Sequence, residues 1–241
     1  MRKMVVVGVL AVALATVGVA WRGGDGAQGG ATISGTVKFT GTRPVMAKID
    51  MSDEPVCKNK YQAPPTKEDV VVNPNGMLAN VFVYVKAGLP ATYKAPPTPA
   101  PLVLDQDGCR YHPHVFGILV GQTLSIKNSD AVAHNIKAKG MKNRPFNISQ
   151  PNMMMTPRSF TAAEVMVPLE CNVHGWMKAW VRVLPNPFFA VTAADGSFKI
   201  SGLPPGTYAI EAWHERYGTQ TATVTVAGTQ TKTSAFTFAA H

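Results

Sequence analysis

Charge is scarce in this chain: Asp, Glu, Lys and Arg make up 15% of its 241 residues. Long solvent-facing helices need far more, so an all-α architecture is not expected. Acid is scarcer than base, 14 residues against 23, for a formal net charge of +9. Removing Arg2 and Lys3 with a leader leaves 9 − 2 = +7. No short window concentrates Lys and Arg, and no nucleic-acid recognition motif appears. The basic excess therefore suits an acidic protein partner or an anionic surface rather than nucleic acid.

Catalytic signatures are missing too. There is no phosphate loop, no Ser/His/Asp constellation and no paired C-x-x-C. The stretch Gly24 to Gly29 has the G-x-G-x-x-G spacing, but it follows a leader rather than a strand and opens no amphipathic helix, so it reads as a tether. One long apolar run exists, Met4 to Ala20 behind Arg2 and Lys3. That is the pattern of an export leader cleaved before Trp21, or retained as a membrane anchor. The expected compartment is the periplasm or the outside of the cell, with residues 1–20 as leader and 21–30 as a Gly-rich tether.

What the chain has in quantity is Gly (21), Pro (19) and hydrophobic residues at 46%. Ten short apolar or alternating runs lie between turn residues, from Ile33 to Phe39 near the start to Phe236 to Phe238 at the end. A period of two at this density implies an all-β protein built of β-sandwiches. Breaks fall at Pro90 to Pro101 and at Pro185-Asn186-Pro187.

Asp195-Gly196-Ser197-Phe198-Lys199-Ile200-Ser201-Gly202-Leu203-Pro204-Pro205-Gly206-Thr207-Tyr208 resembles the DG-x-F-x-I-x-x-LPPG-x-Y hairpin of carboxypeptidase regulatory-like (Cna-B or transthyretin-like) domains. Such domains place this hairpin late. Their earlier strands read like Ile33 to Val37 and Ala79 to Val85. The resemblance thus implies a split sandwich, 31–93 with 188–241, around an inserted block at 94–187. The alternative is an N-terminal extension packed on the middle block, followed by a separate C-terminal domain.

The strongest chemical signal is Cys171-Asn172-Val173-His174-Gly175-Trp176-Met177, a thiol, an imidazole and a thioether in seven residues. Soft sulfur with imidazole selects copper, and a trigonal Cys-His-His set with a weak axial Met is that of blue electron-transfer copper. A second histidine is then required. Gly121-Gln122-Thr123-Leu124-Ser125-Ile126-Lys127-Asn128 followed by His134-Asn135 resembles the first ligand half of cupredoxins of the plastocyanin and amicyanin type, over about residues 102–184. The resemblance implies a Greek-key sandwich and one type 1 copper per chain held by His134, Cys171, His174 and Met177. It also implies single-electron transfer between protein redox partners, without enzymatic turnover. Copper carriage or buffering, and a surface assembly role with copper secondary, are the competing readings.

By the same analogy Asn135 ties the His134 loop to the Cys171 loop, although a turn Asn reads the same way. Trp176 and Trp180 flank Met177 and would keep water from the metal. With Cys171 as ligand, Cys57 and Cys109 remain for a disulfide. The competing arrangement is a second metal site of Cys109 with His112 and His114. Those two histidines flank Pro113 and are expected on one strand face, as surface or core residues, a weak second copper site or an extra ligand. Met153-Met154-Met155 reads as packing, an apolar docking surface or a weak Cu(I) site. Trp213-His214-Glu215 offers possible ligands but reads first as a polar strand end.

Overall fold

A computed structural model describes residues 29–240. The expected leader, and the tether up to residue 28, lie outside the described residues. Among the described residues the single α-helix is α1, Pro55–Lys58, and no helix is long and apolar enough to cross a membrane.

Among the described residues sixteen strands carry the fold. β1 (Ala31–Thr40) and β2 (Phe82–Ala87) come first. Nine follow: β3 (Leu102–Gln106), β4 (Tyr111–His112), β5 (Val115–Leu119), β6 (Thr123–Asn128), β7 (His134–Ala138), β8 (Phe146–Gln150), β9 (Met154–Ser159), β10 (Glu164–Glu170) and β11 (Lys178–Leu184). The last five are β12 (Phe189–Val191), β13 (Ser197–Leu203), β14 (Gly206–His214), β15 (Gly218–Val226) and β16 (Thr231–Ala239).

These strands make four sheets. Orders β13-β1-β16 and β12-β2-β14-β15 enclose one core, with Ile33, Val37, Val83, Ile210, Val224 and Phe236 facing inward. Orders β5-β11-β10-β7-β8 and β4-β3-β6-β9 enclose a second, with Leu104, Ile118, Ile126, Ile136, Leu169 and Val181. Alternation explains which residues turn inward. In β16, Ser234, Phe236 and Phe238 are buried while their neighbours are exposed. Each buried Phe, Leu or Ile contributes about 1.5–3 kcal/mol.

The Asp195 hairpin forms as its residues dictate. Gly196 sits at φ +72, where a Cβ would also press on the Val37 carbonyl. The Tyr208 hydroxyl donates to the Pro204 carbonyl at 2.6 Å and closes the following turn.

The two ends of the middle block lie side by side at β2 and β12. Phe189 pairs with Tyr84 in the β12–β2 ladder, and the Val85 amide donates to the Phe188 carbonyl at 2.9 Å. Between β1 and β2, the stretch 49–61 crosses to the other sandwich although it falls within the 31–93 segment. Ile49, Met51 and Cys57 are buried in the second core, and a Cys57–Cys109 disulfide fixes this strap.

The two sandwiches share a third cluster built on Phe82, Tyr84, Val115, Leu119, Met166 and Leu184. β11 explains its composition. Ala179, Val181 and Val183 face the second core, so Trp180, Arg182 and Leu184 face the first sandwich. Gly117 is needed here, because a Cβ would collide with the Phe189 ring.

Candidate metal centre

β7 opens on His134, which pairs with Gln150 of β8 and is fully buried. The turn before it is shaped by Asn128, whose Oδ1 accepts from the Asp130 amide at 2.9 Å and whose Nδ2 donates to the Val132 carbonyl at 3.0 Å. The loop 171–177 joins β10 to β11 and is closed by its own backbone. Met177 N donates to His174 O at 2.9 Å, Cys171 N to Met177 O at 3.3 Å, and His174 N to Cys171 Sγ at 3.4 Å.

These two segments bring His134, Cys171 and His174 together, with donor atoms within 4.8 Å of one another. The two Nδ1 atoms are 2.9 Å apart, and His174 Nδ1 lies 4.0 Å from Cys171 Sγ. All three side chains are buried, as is Met177 at 1% exposure. The cavity bordering Met177 and Trp176 measures about 20 Å³, room for about one water.

The electrostatics favour a bound cation. Burial pushes the Cys171 thiol up, but hydrogen bonds from His134 and His174 and from the Asn135 and His174 backbones bring it down to about 5. A thiol poised that low is a thiolate at neutral pH, the form that binds metal. Burial disfavours charge on His134, yet Asp130 and Cys171 outweigh it and raise its pKa. His134 Nε2 is 2.9 Å from Asp130 Oδ2. With the Nε2 hydrogen directed at that carboxylate, loss of the Nδ1 proton on metal binding would leave a lone pair facing Cys171 and His174. Two imidazole nitrogens and a thiolate converging in a dry pocket fit copper by donor chemistry.

Asn135 bridges the segments of His134 and Cys171. Its Oδ1 accepts from the Asn172 amide at 2.6 Å and lies 3.3 Å from Cys171 Sγ, while its Nδ2 donates to Asn147 Oδ1 at 2.6 Å. The Trp176 ring lies 5.1 Å from that of His174, and its Nε1 donates to the Cys109 carbonyl at 3.0 Å.

Other expectations are corrected. Trp180 does not wall the centre: on the outward face of β11 it donates to Glu215 at 2.9 Å and meets Trp213 edge-on. His112 and His114 do not share a face, because β4 ends at His112 and β5 begins at Val115. His112 is exposed, with Nε2 3.2 Å from the Asp107 carbonyl. His114 is buried between the sandwiches, with Nδ1 3.0 Å from the Lys178 carbonyl and Nε2 2.5 Å from Glu215. Cys109 cannot form a second site with them, since its sulfur is bonded to Cys57. His214 does end β14, but buried rather than solvent-facing, 1% exposed and stacked on Tyr217.

Three contributors lie beyond the motifs. Asp130, fully buried, also accepts from the Gly108 and Cys109 amides at 3.0 and 2.8 Å and pairs with Lys60 at 2.5 Å. The strap covers the outer edge of His174, whose Nε2 is 3.9 Å from Cys57 Sγ and 3.7 Å from Glu54. Tyr111, buried beneath, donates to the Asn135 carbonyl at 2.6 Å.

Residues 179–239 match the family model of the carboxypeptidase regulatory-like domain. The match spans β12–β16 and most of β11. Solved structures similar to part of the chain include the copper-containing nitrite reductase from Thermus scotoductus SA-01, at 22% identity over 41% of this chain and 25% of that one, TM-score 0.33. The chain thus spans a quarter of the length of that reductase. A point mutant of amicyanin in the Cu(I) form is 20% identical over 44% of this chain and 99% of its own, TM-score 0.30. A purple cupredoxin from Nitrosopumilus maritimus is 22% identical over 36% and 100%, TM-score 0.30. No curated protein matches the chain.

Proposed function

We propose that the protein is an exported mononuclear copper protein that relays single electrons between protein partners. The observation that carries this reading is the buried convergence of His134 Nδ1, His174 Nδ1 and the Cys171 thiol. Met177 closes the loop that holds two of them. Copper, when bound, supplies a one-electron couple between Cu(II) and Cu(I).

The chain's own groups supply the rest. Asp130 orients His134, Asn135 locks the two ligand loops together, and Trp176 and the strap keep water out. A rigid, buried set changes little when an electron arrives or leaves, which favours a carrier over an enzyme. A copper buffer draws less support: Met153, Met154 and Met155 are exposed, whereas His134, Cys171 and His174 offer a buried set of stronger donors.

The disulfide fits an oxidising compartment outside the cytoplasm. The adjacent exits at Val85 and Phe188 fit insertion of 94–187 into a sandwich of 31–93 and 188–241, that sandwich serving as a docking platform for acidic partners. Voltammetry tests the carrier reading. Protein with one equivalent of copper should give one reversible one-electron wave, absent in Cys171→Ser. Steady consumption of dioxygen or nitrite by the copper-loaded protein would contradict it.

A further inference from the structure

Both histidines of the centre turn their outer nitrogens toward carboxylates. His134 Nε2 lies 2.9 Å from Asp130 Oδ2, and His174 Nε2 lies 3.7 Å from Glu54 Oε2. Their Nδ1 atoms meet on the inner side, 2.9 Å apart. The two carboxylates differ in origin. Asp130 belongs to the turn before β7, in the sandwich that carries the ligands, whereas Glu54 is brought in by the strap.

The strap holds Glu54 in place from both sides. Its amide donates to the Met51 carbonyl at 3.1 Å, and its own carbonyl accepts from the Lys58 amide at 3.0 Å. Met51 is buried in the second core, and Cys57, three residues beyond Glu54, is fully buried and bonded to Cys109. The Glu54 side chain is 25% exposed. Among the described residues no Lys or Arg lies within 4.0 Å of its carboxylate, so the His174 ring is its one ionic partner there.

We infer that Glu54 is a positioning residue of the copper centre, acting through His174 to favour Cu(II) over Cu(I) and so to lower the reduction potential. The inference rests on the electron-carrier reading above. Two effects work in the same direction. A carboxylate at the far nitrogen of a metal-bound imidazole orients the ring and makes it a stronger donor. Negative charge beside the centre also stabilises a doubly charged ion more than a singly charged one, because Coulomb energy scales with the product of the charges. The contact is longer than a hydrogen bond and partly open to water, so its effect belongs at the low end of the range of about 10- to 100-fold for such outer partners. A tenfold change in the ratio of Cu(II) to Cu(I) affinity is about 59 mV for one electron.

The test is voltammetry of the full chain with one equivalent of copper, for the parent and for Glu54→Gln, Glu54→Asp and Asp53→Asn. Glu54→Gln should raise the potential by about 59 mV. Chelator competition should show its Cu(II) affinity about tenfold weaker and its Cu(I) affinity little changed. Glu54→Asp keeps the charge and should recover most of the shift. Asp53→Asn removes the same charge from the exposed neighbouring position and should leave the potential near that of the parent. An unchanged potential in Glu54→Gln, or an equal rise in Asp53→Asn, overturns the role of Glu54 while the copper centre stands. A parent protein that shows no thiolate-to-copper band removes the centre itself, and the inference with it.

Discussion

Replacing Cys57 and Cys109 together by Ala should destabilise the protein by about 2–4 kcal/mol. The bond spans 52 residues. Opening a loop of that size returns about 4 kcal/mol of conformational freedom to the unfolded chain at 25 °C. The native strap keeps other anchors, Ile49 and Met51 in the core and Lys60 on Asp130, so the folded state should survive. Guanidinium unfolding followed by tryptophan fluorescence is suited to the measurement. Trp176 reports directly, since its indole is bonded to the Cys109 carbonyl. A loss under about 1 kcal/mol would refute the reasoning, because the strap would then owe nothing to the bond.

Three further outcomes are expected. Asp130→Asn removes the anion shared by His134, Lys60 and two amides, so stability should fall by about 3 kcal/mol and the copper Kd should rise about 10- to 100-fold; equilibrium dialysis against a competing chelator reads the second effect. Glu215→Gln breaks a buried pair between the sandwiches with His114 and loosens Trp180, costing about 3 kcal/mol in denaturant titration. For pH, burial and then the neighbouring His114 and Arg216 charges depress His214 to about 4. The unfolded chain takes up that proton near pH 6.5 and the folded one only near 4, so stability should drop between those values by at most about 3 kcal/mol as pH falls. His214→Asn should flatten that flank. His114 acts in the opposite sense: burial lowers its pKa, but Glu215 outweighs burial and raises it. Its contribution is complete below about pH 6.5 and lost as pH climbs through the raised value.

Much of the centre was legible because Cys171, His174 and Met177 share seven residues of one loop, where chemistry and spacing read together. His134 needed the family resemblance, lying in a different strand. Asp130, Glu54 and Lys60 were not legible: Glu54 and Lys60 reach the centre through a strap that crosses between sandwiches, and no local pattern announces that. Six strands lie outside the ten apolar runs: β3 directly after the proline-rich stretch, two-residue β4, three-residue β12, the exposed edge strand β9 with Pro157, and β7 and β8, where His134, Asn135, Asn147 and Ser149 break the apolar pattern. Trp180 was misread because β11 is buried on both faces. Alternation places Trp180 opposite Ala179 and Val181, but only the presence of the first sandwich turns that outer face into an interface.

That His134, Cys171 and His174 form a thiolate-bearing copper centre is tested most directly by the absorption and EPR spectra of the full chain with one equivalent of Cu(II). An intense visible thiolate-to-copper charge-transfer band and a single copper signal are expected, with the band lost in Cys171→Ser. A colourless Cu(II) complex, or a band that persists undiminished in Cys171→Ser, would contradict the assignment.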